Sequence, residues 1–227
     1  MAVKQARKGS VGTVSQAARP TSTESRDPNQ ATDRKGEWRR SAQTKSAVTD
    51  AARRLFNDQG YENTSIHDIV RESGVSVGSI YHQFGGKSEV LRALVNMSMS
   101  RHKAVSSQAV QDAIADGETD PLRIYAAGAK AFLLDTWEHR DIDRVSLNFE
   151  GPSDVLAVSR DDLARFIASS SEIVLGNAPL PDCDSYALFG VLTAAARRLV
   201  DIDERDMAAA VVDYFIELLL RMGSSKP

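Results

Sequence analysis

The chain has 227 residues, 42% of them apolar and 26% charged, with 28 Lys and Arg against 31 Asp and Glu for a net charge of −3. That composition suits one medium domain or a small domain joined to a larger one, and it excludes wholesale disorder and collagen-like repeats. No apolar run approaches the roughly 20 residues of a membrane span, Cys183 has no internal disulfide partner, and the basic amino terminus lacks the apolar stretch of a secretory signal, so a soluble, cytoplasmic protein is expected.

Charge is unevenly spread. Residues 1–40 hold nine basic and four acidic side chains, residues 41–90 five and six, and residues 91–227 fourteen and twenty-one. A polyanion would be repelled by the carboxy-terminal part, so any nucleic-acid function belongs near the front. Residues 1–37 are rich in Ser, Thr, Gln, Arg and Ala without a periodic apolar face. They read as a disordered basic arm, either a solubilising tail or a segment that adds sequence-independent attraction to phosphate.

From Ala42 the apolar period becomes helical. Val48, Ala51, Ala52, Leu55 and Phe56 mark one face of a helix that ends before Gly60, where a left-handed cap residue is wanted and Tyr61 follows to seal it. A second, short helix opens at Thr64–Ser65, with Ser65 and Asp68 at capping-box spacing and Ile66, Ile69 and Val70 as its buried stripe. Gly74 turns the chain into a third helix capped by Ser76, with Val75 and Ile80 spaced as a hydrophobic staple. Phe84 and Gly85–Gly86 close it, and Lys87 begins a fourth helix.

Two short helices joined by a glycine turn after a longer supporting helix describe a helix-turn-helix, whose second helix enters the major groove while the first crosses the backbone. The outward set would be Ser76, Val77, Gly78, Ser79, His82 and Gln83, with Val75, Ile80 and Phe84 turned inward. Many helical proteins contain such pairs, so the spacing leaves DNA binding open.

The stretch from Ala47 to Leu94, on AARRLFNDQGYENTSIHDIVRESGVSVGSIYHQFGGKSEVL, resembles the DNA-binding domain of the tetracycline-repressor (TetR) family. The resemblance implies an all-α fold of three segments: the arm at 1–37, a helix-turn-helix domain at 38–92, and a helical ligand-binding and dimerisation domain at 93–227. It also implies roles. Thr64 or Ser65 would contact a phosphate and His67 would approach a base edge. Val77, Gly78 and Ser79 match the base-reading start of the recognition helix. Tyr81 matches a tyrosine whose hydroxyl meets a phosphate, and Lys87 a lysine that binds phosphate at the start of the fourth helix, where the helix dipole already favours an anion. Two departures stand out. Val77 replaces a residue that is commonly polar or basic, which suggests contact with a thymine methyl. His82–Gln83 replaces the common Tyr-His pair, which leaves the base preference open.

Beyond Ala93 the 3.6-residue period persists and no alternating strand pattern emerges. Leu122, Ala126, Ala129, Phe132, Leu133 and Thr136 line one helix face. Gly151–Pro152 breaks the chain, and Val155, Leu156, Leu163, Phe166, Ile167 and Val174 suggest a further helix or pair. The last two helices, Tyr186 to Ala196 and Met207 to Met222, are apolar nearly all round, so they need cover on two sides. A two-fold homodimer through a four-helix bundle follows, with Tyr186, Phe189, Gly190, Thr193, Ala194, Arg197, Val211, Phe215, Leu218 and Met222 at the interface. The alternative is a monomer in which these are central core helices. Such a dimer would read a near-palindromic double-stranded DNA operator. The family also implies a small-molecule effector bound in the body. Tyr125, Phe132, Trp137, Phe149 and Phe166 are candidate walls and Arg144 and Asn148 candidate polar contacts, although the aromatics also suit plain core packing and the 139–144 charge run suits a solvated loop.

The expected function is therefore a homodimeric, ligand-responsive transcriptional repressor. Two other classes stay open: a helical ligand-binding or interaction protein that does not bind DNA, and an all-helical enzyme. Against catalysis, the sequence holds no H-E-x-x-H, P-loop, nucleophile elbow or dinucleotide fingerprint. His67, His82, His102 and His139 lack metal-ligand spacing, so no cofactor or metal is expected.

Overall fold

The computed structural model describes residues 28–147, 151–153, 155, 161–165 and 182–224, in two units that divide between Arg39 and Arg40. The fold class is all-α, as the period indicates. The described elements are α1 (Pro28–Gln59), α2 (Ile66–Ser73), α3 (Val77–Gln83), α4 (Lys87–Ala115), α5 (Pro121–Glu138), α6 (Arg140–Leu147), α7 (Asp182–Leu199) and α8 (Arg205–Ser224). The first helix starts at Pro28, inside the segment assigned to the arm; residues 1–27 of that arm lie outside the described residues.

Local chemistry sets the boundaries of the head, the part of the second unit built from α1 to α3. Val48, Ala51, Ala52 and Phe56 are buried on α1. The helix stops where Gly60 takes φ +82° and its amide donates to the Phe56 carbonyl. Tyr61 then folds back so that its ring lies 5.3 Å from that of Phe56, the apolar seal expected of such a cap. On α2 the capping box forms in both directions: the Asp68 amide donates to Ser65 Oγ at 3.1 Å, and the Ser65 amide donates to Asp68 Oδ2 at 2.9 Å. Gly74, at φ +68°, ends α2 with its amide on the Val70 carbonyl.

The fourth helix crosses the expected domain boundary at residue 92. Val90 and Leu91 are buried near its start, and Met99, His102 and Ser106 further along. Asp120 caps α5 by accepting from the Leu122 amide, and Pro121 takes the first helical position, where its missing N–H costs nothing. The α4–α5 seam is close because Gly128 has no side chain: a Cβ there would stand 2.9 Å from Val110 Cγ2. The 139–144 charge run departs from expectation. It is not a loop but the start of α6, and Ile142 and Asp143 are buried in it. A run of charges one residue apart necessarily sends some of them inward once it coils.

Helices α7 and α8 each bury one face, through Leu192, Ala195, Ala196 and Leu199, and through Ala208, Val212 and Leu219. Of the segment between α6 and α7, Val155 and Leu163 are buried, whereas Leu156, Phe166, Ile167 and Val174 lie outside the described residues. Among the described residues no helix is long and apolar enough to cross a membrane.

Candidate nucleic-acid interface

The short α3 carries the outward set because its one buried residue, Ile80, anchors it to the core. With Ile80 inside, the helical period turns Val77, Gly78, Tyr81 and His82 outward. Val77 is 42% and Tyr81 54% exposed, unusual for apolar and aromatic side chains on so short an element. Ser76 caps the helix by accepting from the Ser79 amide at 3.2 Å, and the two hydroxyls lie 2.9 Å apart. Both serines therefore hold the helix start in shape while facing solvent or a ligand with their remaining hydrogen-bonding capacity. No atom lies within 4 Å of where a Cβ on Gly78 would stand, so the backbone of α3 is open to close approach from outside.

Beside α3, the Tyr81 ring passes over Gly86, whose Cβ position is 3.9 Å from Tyr81 Cε1. Lys87 follows at the start of α4. Its Nζ donates to the Tyr61 carbonyl at 2.8 Å and stands over the Tyr61 ring. A lysine so held presents its remaining N–H groups beside the positive end of the α4 dipole. On α2, His67 is exposed, as is Ser65, whose hydroxyl also donates to Asp68 Oδ2 at 2.7 Å.

Two of the expected contact residues have buried polar atoms. Thr64 is 1% exposed, and its Oγ1 donates to the Gly60 carbonyl at 2.8 Å, so it stabilises the turn into α2, while Ser65 beside it is exposed. Gln83 is half-buried, and its Oε1 has no hydrogen-bond partner among the described residues. Both residues follow an exposed neighbour by one position, and a shift of about 100° round the helix or one turn residue decides which faces out.

A link that sequence reasoning missed ties the head to the body. Arg53 Nη1 on α1 lies 2.8 Å from Asp141 Oδ2 on α6, and the Asn57 side-chain amide donates to the Asp141 carbonyl. Arg53 and Asn57 are one helical turn apart, but Asp141 lies 84 residues beyond Asn57 and the three belong to no motif, so nothing local signals the contact.

Of the expected effector-site residues, Tyr125, Phe132, Trp137 and Arg144 are among the described residues. Phe132 stacks on the His102 ring at 4.6 Å. Trp137 Nε1 donates to the Ile202 carbonyl at 2.9 Å, and Arg144 donates to the Val200 carbonyl, so both are spent on the turn between α7 and α8. Tyr125 is buried with its hydroxyl unpaired, and burial pushes its phenol far above the usual range. Asn148, Phe149 and Phe166 lie outside the described residues.

On the expected interface helices, Gly190, Ala194 and Arg197 are exposed, and Thr193, Val211, Phe215 and Leu218 are half-buried. The side chains of Tyr186, Phe189 and Met222 lie outside the described residues. Tyr214, absent from the expected set, is 60% exposed and meets the Phe215 ring edge-on at 5.6 Å.

Comparison with known proteins bears on the head. Residues 48–94 match the family model described as bacterial regulatory proteins, tetR family. The HTH-type transcriptional regulator LmrA of Bacillus subtilis (strain 168) is 36% identical over 91 residues, 40% of this chain and 44% of that protein. The chain thus spans less than half the length of the curated relative it matches. The fatty acid degradation regulator FadR from Bacillus halodurans superposes with a TM-score of 0.63 at 19% identity, covering 77% of this chain and 97% of that one. A TetR-like transcriptional regulator from Rhodococcus sp. RHA1 superposes with a TM-score of 0.60 at 22% identity, covering 81% and 97%. At such identities the likeness is one of fold.

Proposed function

We propose, from the match of residues 48–94 to the tetR family of bacterial regulatory proteins, that the chain is a cytoplasmic, DNA-binding transcriptional regulator. In this reading it acts as a homodimeric repressor that leaves a near-palindromic operator when a small molecule binds in its helical body. The observation that carries the reading is the outward face of α3, with Val77, Gly78 and Tyr81 open to solvent over a single buried anchor, Ile80. An exposed Val77 reads a thymine methyl, Ser79 and His82 supply polar contacts to base edges, and Tyr81 and Lys87 meet the flanking phosphates.

Dimerisation is supported by the second face of α7 and α8. Gly190, Ala194, Met207 and Tyr214 are exposed there beside the half-buried Val211, Phe215 and Leu218, an apolar strip that a second copy would cover. Two copies would place their recognition helices in successive major-groove faces about 34 Å apart, or a multiple of that. For the effector, the support is the unpaired polar atoms inside the body. Among the described residues the hydroxyls of Tyr125, Ser106 and Thr193 have no hydrogen-bond partner, and a bound molecule with polar groups would satisfy them. Catalysis has no part in this reading.

Fluorescence anisotropy with a labelled duplex from the region upstream of the protein's own gene tests it. Saturable binding whose affinity falls with salt, at two protomers per duplex, is the expected result. Absence of binding to any promoter fragment at low salt would leave a helical protein that does not act on DNA.

A further inference from the structure

Helix α6 is gripped from two sides. Its outer side holds the head, through Asp141 with Arg53 and Asn57. Its inner side is set in a buried charged cluster. Asp143, 1% exposed, accepts from the Ser98 hydroxyl and lies 3.2 Å from Arg101 Nη2 and 3.2 Å from His102 Nε2. Across the seam Asp135 of α5, 6% exposed, lies 2.8 Å from Arg101 Nε and 2.9 Å from His102 Nδ1. The Nδ1 contact is an ion pair set off the line of an ideal hydrogen bond. His139 completes the group, with Nδ1 3.0 Å from Asp135 Oδ1. The groups facing His102 are thus Ser98 and Arg101 from α4, Asp135 and behind it His139 from α5, and Asp143 from α6; Arg144 of α6 turns away to Val200 and Asp201.

Each nitrogen of the His102 ring faces a carboxylate oxygen. A neutral imidazole carries one N–H, so one nitrogen would direct its lone pair at an anion, whereas the imidazolium donates on both sides. Charge balance agrees. Among the described residues the two buried carboxylates meet one buried guanidinium, Arg101, and the more exposed His139 ring, and a charged His102 adds a second buried positive charge between them. Burial on its own would lower the His102 pKa, but the hydrogen bonds and charges of Asp135 and Asp143 outweigh it and raise the pKa above 6.5. Asp135 in turn is held below its ordinary value against the effect of burial, by His102 and Arg101.

We propose that His102 is a proton-operated latch: as the imidazolium it pins α6 between α4 and α5, and through Asp141 it holds the head in a fixed orientation on the body. Loss of the proton leaves Asp143 and Asp135 sharing one guanidinium, α6 loosens, and the Arg53–Asp141 grip loosens with it. A head with no fixed orientation must be ordered when two recognition helices dock at once, so operator affinity falls. That last step rests on the DNA-binding reading; the latch itself does not. The sign follows from linkage. A folded-state pKa raised above the unfolded value stabilises fully below about pH 6.5, and that contribution is lost as pH rises through the folded pKa.

The test uses the full-length chain with labelled histidine. At pH 6.5, where an ordinary imidazole is half neutral, nuclear magnetic resonance should find His102 mainly protonated on both ring nitrogens. Amide exchange of residues 140–147, corrected for its intrinsic pH dependence, should accelerate as His102 loses its proton, by about tenfold for each unit of pKa elevation. Asp143→Asn, which balances a neutral His102, should abolish that step, as should His102→Gln. A His102 that titrates at or below 6.5, or α6 protection that stays flat across its titration in the unsubstituted chain, overturns the latch. In the second arm, operator affinity should weaken as pH rises above 6.5 through the His102 titration in the unsubstituted chain and lose that extra weakening in Asp143→Asn. An α6 step with flat operator affinity overturns the coupling to the head. Absence of any duplex binding counts against the DNA-binding reading, and the exchange result then decides the latch by itself.

Discussion

Lys87 Nζ donates to the carbonyl oxygen of Tyr61 at 2.8 Å and stands 4.0 Å from the centroid of the same residue's ring. The lysine therefore has two tasks, closing the cap after α1 and offering charge at the start of α4. Lys87→Ala should lower unfolding free energy by about 1–2 kcal/mol. It should also weaken binding to all duplexes alike and reduce the slope of log affinity against log salt by roughly 0.9. Val77→Ala should behave differently: no loss of stability, because the side chain is exposed, and an uneven change between operators of about 1–3 kcal/mol at one base pair. Denaturation and salt-titrated anisotropy on both variants check this, and a preference change in Lys87→Ala without a slope change would reverse the assignment.

Two glycines separate fold from function. Gly74 sits at φ +68° and a Cβ there meets nothing within 4 Å, so Gly74→Ala pays backbone strain alone, about 1–2 kcal/mol of stability. Gly78 is helical and equally open. Gly78→Ala should raise stability by roughly 0.5–1 kcal/mol. If α3 enters the major groove as proposed, the added methyl stands on its base-facing side and should cost about tenfold in operator affinity, the scale of one base contact. A Gly78→Ala protein that is more stable and binds as well as before would show that α3 does not approach bases closely.

Acid should undo the start of α2. The Ser65 hydroxyl and amide, and then Arg71, donate to Asp68 and hold its carboxyl at about 2, below its ordinary 3.8. A depressed folded-state pKa means that the stabilisation is present above 3.8 and is lost as pH falls to about 2. Asp68→Asn should remove that part of the pH dependence, so that its stability curve lies below the original above pH 4 and meets it near pH 2. Urea unfolding across this range is the measurement.

Tyr214 tests the association. Its ring is largely exposed, so Tyr214→Glu should leave the protomer folded while placing a third carboxylate beside Asp213 and Glu217 on α8. Sedimentation should show the original chain as a dimer at micromolar concentration and the variant shifted to monomer, with operator affinity falling in parallel. A variant that remains dimeric places the contact elsewhere.

What the residues alone determine is everything held within a few positions of the chain. The Ser65–Asp68 box, the left-handed Gly60 and Gly74, the Ser76 cap and the Ile80 anchor are short-range devices, and each formed as its spacing implies. The tertiary structure decided what adjacent residues or distant partners share. Thr64 and Ser65 are adjacent and equally polar, and spacing leaves open which of them turns in; in the fold Thr64 is buried with its hydroxyl on the Gly60 carbonyl, and Ser65 is exposed. His102 is a solitary histidine in sequence, and Asp135 and Asp143 lie on other helices. No local pattern brings them together, because the contact depends on where α5 and α6 cross α4, which the burial of Phe132, Leu133 and Ile142 settles for the whole chain at once.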